Sequence, residues 1–157
     1  MSYPSGYAPA AFPSRTAWRR AAVADTLTVL YVTDLQNDSD ETLASACALA
    51  HKHGADIEVV HVVDLGHAPS IPDAQMGIQY RLEKLGRRLK SLRDRVRSIL
   101  LFGSPEEVIA KRADDIKAKL IAFGSTGSLS GSVQQKLIDS VTRRVSCPVI
   151  TITSKAG

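Results

Sequence analysis

Apolar positions along this chain fall into two kinds of run. Short continuous ones, rich in β-branched residues, occupy Leu27 to Thr33, Ile57 to Val63, Arg97 to Phe102, Lys119 to Phe123 and Val149 to Thr153. Continuous hydrophobicity is what a strand covered on both faces needs, so these five predict buried parallel strands. In the second, Glu58 and His61 are the polar exceptions. Between the strands the apolar residues recur at helical spacing. Ser39 with Thr42, and Asp38 with Glu41, signal the start of a helix whose stripe is Leu43, Ala46, Cys47 and Ala50 and which stops at Gly54. That stripe is mostly small, which predicts close packing. Ile78, Leu82, Leu85, Leu89, Leu92 and Val96 predict a long amphipathic helix over 75–96, too short in heptads for a coiled coil. Gly103-Ser104-Pro105 ends the third strand and opens a helix running to about Ile116, with Ser104 as cap and Pro105 in the first turn. Val133, Leu137, Val141 and Val145 mark the last helix.

Strands alternating with helices imply parallel β-α-β units joined by right-handed crossovers. The fold class is therefore α/β, a single open five-stranded parallel sheet with helices on both faces. Pattern alone leaves the strand order open. Ligands of such sheets bind beyond the carboxyl ends of the strands, at the switch point. Asp34, Val63-Asp64, Gly103 and the loop after Gly124 all fall at such ends.

Composition narrows this picture. A chain of 157 residues, 44% hydrophobic, fits one domain with a sizeable core. Residues 1–24 hold three of the seven prolines, the only Trp and no acidic residue, which predicts a flexible tail ahead of a domain over 25–157. An organellar transit peptide shares that composition, but its prolines argue against an amphipathic helix. No apolar run approaches the roughly 20 residues that span a bilayer, so no membrane association is expected. Cys47 and Cys147 form no C-x-x-C pair and sit in apolar contexts, as expected of reduced thiols in the cytoplasm.

The formal charge is +4, and eight of the 20 basic residues crowd Arg81 to Arg97. They are interleaved with apolar residues at helical spacing and lack aromatic stacking platforms, which argues for a solvated helix face and against nucleic acid. An acidic protein partner is the contact such a helix would suit. His51 and His53 lie two apart on a helix end and so cannot form a metal pair. A Gly-x-Ser-x-Gly elbow, a P-loop and a Gly-x-Gly-x-x-Gly turn are all absent, which disfavours a serine hydrolase, a P-loop NTPase and a dehydrogenase. The Gly124 to Ser132 loop between a buried strand and a helix is different: it is how α/β proteins offer backbone N–H groups to phosphate.

Val29-Leu30-Tyr31-Val32-Thr33-Asp34, Val59-Val60-His61-Val62-Val63-Asp64, the Phe102 to Pro105 turn, Gly124-Ser125-Thr126-Gly127 and Cys147-Pro148-Val149-Ile150 together resemble the universal stress protein family over about residues 27–154. The resemblance implies strand order 3-2-1-4-5 in an adenine-nucleotide-hydrolase-like, Rossmann-like sheet. It implies homodimers paired through the last strand, here Val149, Ile150, Thr151, Ile152 and Thr153, and a role in stress tolerance rather than metabolism. It also implies ATP or another adenine nucleotide as ligand, with or without Mg²⁺, and at most slow ATP hydrolysis. The site it implies comprises Asp34, Val62, Gly124, Gly127, Ser128, Ser130, Gly131, Ser132 and Ser140, with Val62 reading adenine through its backbone.

ATP-binding members carry Gly-x-x-Gly, nine residues, then Gly followed by Ser or Thr. Gly124 and Gly127 match the first pair, but the third place falls on Leu137-Ile138. Gly131-Ser132 comes early and Asp139-Ser140 late. An Asp about 5 Å from a phosphate charge would cost on the order of 3 kcal/mol at an effective dielectric near 20, roughly a hundredfold in affinity. Gly131-Ser132 would instead leave a hydroxyl-rich loop able to bind phosphate. The family alternative is a nucleotide-free dimeric adaptor acting through protein contacts.

Overall fold

The computed structural model describes residues 27–35, 38–64, 72–92, 95–124 and 131–152. The proposed tail, Gly127, Ser128, Ser130 and Thr153 lie outside these residues. The chain runs β1 (Leu27–Val32), α1 (Asp40–Lys52), β2 (Ala55–Val63), α2 (Pro72–Lys90), β3 (Val96–Phe102), α3 (Pro105–Asp115), β4 (Leu120–Gly124), α4 (Gly131–Arg144) and β5 (Val149–Ile152). All neighbouring strands are parallel, in the order β3-β2-β1-β4-β5. Val29 pairs with Ile57 on one side and Leu120 on the other, so β1 is the centre of the sheet. The winding reverses between β1 and β4, which puts the switch point there.

Period-2 alternation along β1 divides two cores. Val29 and Tyr31 pack with Leu43, Ala46, Ile57, Leu82 and Leu89 under α1 and α2. Leu30 and Val32 pack with Val60, Ile109, Ile121, Phe123 and Val141 under α3 and α4. Helix α1 begins at the Ser39 cap, whose hydroxyl accepts from the Thr42 amide at 3.1 Å. Ala46 and Ala50 are fully buried, so α1 lies close on the sheet as its small stripe predicts.

Two helix readings need correction. Helix α2 starts at Pro72, a residue well suited to a first turn, and ends at Lys90. Leu92 is exposed in the following turn and Val96 opens β3, so their continuation of the four-three spacing is coincidental. Helix α2 lies close on β3 at Gly86, where a Cβ would meet Ser98 Oγ and require that hydroxyl to turn away. On α4 the buried face is Leu137, Ile138 and Val141, while Val133 is exposed and Val145 lies past the helix end.

The basic run is also not one helix face. Arg81, Lys84, Arg87, Arg88 and Lys90 lie on α2, but Arg95 precedes β3 and Arg97 lies within it. Arg88 pairs with Asp40 at 2.7 Å, Arg95 with Asp56 at 2.7 Å and Arg97 with Glu58 at 3.2 Å. Glu58, the polar exception in β2, is 1% exposed and takes both Nε and Nη2 of Arg112 from α3, at 2.6 and 2.7 Å. Burial of that carboxylate is tolerated because two guanidiniums saturate it. Among the described residues no helix is long and apolar enough to cross a membrane.

Candidate functional site

At the switch point, the carboxyl ends of β1, β2 and β4 meet the first turn of α3 and the body of α4 around a cleft of about 140 Å³. Its walls are apolar: Val32, Val62, Ile109, Phe123 and Leu137, with Pro105 at the rim. Thr33, Asp34, His61, Gly124 and Gln134 add polar atoms. An apolar slot with a few placed polar groups suits a planar heteroaromatic ring. At this volume it holds a ring and not a whole nucleotide, for which sites run about 300–1,000 Å³. A larger groove, about 560 Å³, opens between α3 and α4 beside Lys117, Arg144 and Cys147. It lies at the amino edge, away from the strand ends and helix N-termini that hold ligands in this architecture, so the smaller cleft is the candidate. Burial pushes the Cys147 thiol up, which keeps it protonated and unreactive.

Two helices begin at the same edge. The Ser104 hydroxyl donates to the Glu106 carboxylate at 2.6 Å instead of capping α3, and this bond holds Glu106 below the usual carboxylate range. Gly131 and Ser132 are the first residues of α4, whose opening N–H groups lack intrahelical partners. Gln134 donates from Nε2 to the Gly124 carbonyl at 3.1 Å, tying the start of α4 to the end of β4. His61 Nδ1 lies 2.9 Å from the Thr33 carbonyl. A carbonyl only accepts, so Nδ1 carries a proton there.

Behind the cleft, toward α1 and α2, is a network no local pattern announces. Asp38 accepts from Tyr31 Oη at 2.6 Å and from Thr33 Oγ1 at 2.5 Å, and Thr33 Oγ1 in turn accepts from the Leu35 amide at 2.9 Å. Asp38 is thus not part of the α1 start signal, a role Ser39 fills. These bonds hold the turn after β1, where Leu35 takes a left-handed φ of 65°. Burial, then the Asp38 charge, pushes the Tyr31 hydroxyl far above its ordinary value. Gly124 is needed here for packing: a Cβ would sit 2.6 Å from Tyr31 Oη and 3.2 Å from Tyr31 Cζ.

Of the residues singled out from sequence, Asp34, Val62 and Gly124 border the cleft together. Gly131 and Ser132 open α4. Ser140 is elsewhere, on the exposed part of α4 within one turn of its end, with Arg144 Nε at 3.4 Å from its hydroxyl. Asp139 is exposed and accepts from Gln135 at 2.8 Å. Phe123, Gln134 and His61 were missed as cleft residues. His61 had a signal, as a polar break in an apolar strand; Phe123 and Gln134 had none. Among the described residues no group of three or more His, Cys, Asp or Glu could hold a metal ion.

The model of the universal stress protein family matches residues 26–153. The chain belongs to that family. Among solved structures, a universal stress protein in complex with cAMP is similar at 20% identity and TM-score 0.63, over 82% of this chain and 97% of that one. UspA from Lactobacillus plantarum is similar at 18% identity and TM-score 0.65, over 80% and 97%. A universal stress protein from Archaeoglobus fulgidus in complex with dAMP is similar at 20% identity and TM-score 0.61, over 81% and 97%. No curated protein matches the sequence. At these identities the likeness is one of fold.

Proposed function

We propose that this universal stress protein binds an adenine nucleotide, with the base in the switch-point cleft and the phosphate at the opening of α4, and acts as a cytoplasmic stress-response regulator rather than a metabolic catalyst. One observation carries the reading: an apolar ring-sized slot and a helix N-terminus converge on the same sheet edge. Relatives of the same fold have been solved with cAMP and dAMP, both adenine nucleotides. Asp34 stands beside the ribose and the Val62 backbone beside the base. Gly131 and Ser132 supply the phosphate contacts in place of the displaced third glycine.

Helix length also reduces the penalty that Asp139 would otherwise impose. Eight residues of α4 separate it from Gly131, about 12 Å at 1.5 Å per residue. At that range the repulsion falls to about 1 kcal/mol before salt screens it further. Calorimetry of the full chain with AMP, ATP and Mg-ATP tests the reading. Saturable heat with any of them supports it; no heat at millimolar nucleotide ends it.

The second reading, a nucleotide-free dimeric adaptor, is favoured by one feature. Among the described residues β5 pairs only with β4, leaving the backbone of Val149, Ile150, Thr151 and Ile152 at a sheet edge that a second copy could extend. A Thr151→Pro protein that stayed fully dimeric by light scattering would overturn that interface.

A further inference from the structure

On the opposite side of the β1 turn from the nucleotide cleft is a separate cavity of about 190 Å³, lined by Leu35, Asp38, Arg81, Lys84, Leu85 and Arg88. Its cations come from α2 at i, i+3 and i+7, one face of the helix. Neither Arg81 nor Lys84 forms an ion pair among the described residues. Arg88 reaches Asp40, but the Asp40 side chain is 98% exposed, so that pair is readily exchanged. The carboxylate facing the cavity, Asp38, is already engaged at both oxygens by the Tyr31 and Thr33 hydroxyls. Three cations therefore line a half-open pocket against one carboxylate.

We infer that this cavity is a second anion site, which takes a compact phosphate-bearing anion. Guanidinium forks match pairs of phosphate oxygens, and Lys84 adds a point charge between them. Leu35 and Leu85 form the apolar floor of the pocket. A carboxylate carries a single charge and would merely replace Asp40; a phosphate monoester, at about −1.5 to −2, draws Arg88 away from it. The cavity holds one or two phosphate groups, which excludes a peptide helix or a duplex as its occupant. The site is independent of the nucleotide reading, since Thr33 and Asp34 border one cavity and Leu35 and Asp38 the other.

The test is calorimetric titration of the full chain with sodium pyrophosphate in phosphate-free buffer, beside the Arg81→Gln/Lys84→Gln variant. Saturable binding is expected that weakens as sodium chloride rises. Affinity should fall at least about tenfold in the double variant and persist in Lys84→Arg. Both positions are exposed, and a thermal melt of each variant verifies folding. Adenosine, which carries no phosphate, reports the cleft separately and should bind wild type and variant alike. Absence of saturable pyrophosphate binding overturns the inference. So does unchanged affinity in the double variant, which would put the anion at the opening of α4 instead.

Discussion

Glu58 and Asp38 are carboxylates on opposite faces of one sheet, and they are stabilised by different means. Glu58, deep under α3, is neutralised by two guanidiniums drawn from β3 and α3. Asp38, at the carboxyl edge under α1 and α2, is satisfied by two neutral hydroxyls. The first arrangement cross-links three elements far from any cleft. The second shapes the turn that separates the two candidate ligand cavities. A carboxylate paired with guanidiniums thus pins several elements together, whereas one held by hydroxyls orders a single turn.

The difference is sharpest under mutation. Glu58→Ala removes the partner of Arg112, which is only 28% exposed, and should cost about 3 kcal/mol or more in urea unfolding. A loss under about 1 kcal/mol would place this pair with ordinary surface bridges. Gly124→Ala drives a methyl into Tyr31, which Asp38 prevents from swinging aside, and should cost about 1–3 kcal/mol. Adding Tyr31→Phe removes the nearest atom and should recover part of that loss; strict additivity in the double-mutant cycle would break the proposed clash.

The Asp38 network also makes an alkaline signature. Because folding raises the Tyr31 pKa, its contribution to stability is complete below the ordinary value near 10 and is lost as pH climbs above it. Stability of the wild type should fall there by up to about 1.4 kcal/mol per pH unit more steeply than that of Tyr31→Phe. Parallel curves for the two proteins would deny the coupling. Arg88→Ala should have the smallest effect, about 0–1 kcal/mol, because its partner Asp40 is solvated. A larger loss would show that the cavity wall, and not the pair, depends on Arg88.

Much of the architecture was legible from side-chain pattern. Five apolar runs became five parallel strands, and their boundaries shift by no more than two residues within the described residues. The carboxyl end of α2 was misjudged because a leucine period cannot tell a helix from a turn leading into a strand whose first residue, Val96, is buried. Asp34 and Gly124 fall at strand ends by the apolar pattern, and Val62 was singled out by the family resemblance; strand ends are where the cleft forms. Ser140 was matched by neighbouring residues in a motif, yet helix rise carries it away from that edge.

The linear sequence thus determined the order and type of elements, the sheet edge at which the candidate cleft forms and the family, since each depends on local periodicity or on short motifs. Tertiary structure alone decided that Glu58 meets Arg112, that Tyr31 and Thr33 close on Asp38, that Gly124 exists to admit Tyr31, and that Arg81, Lys84 and Arg88 share a cavity. The physical reason is the same in each case. Charges and hydroxyls are satisfied across gaps set by sheet register and helix packing, and those distances exist only after the chain has folded.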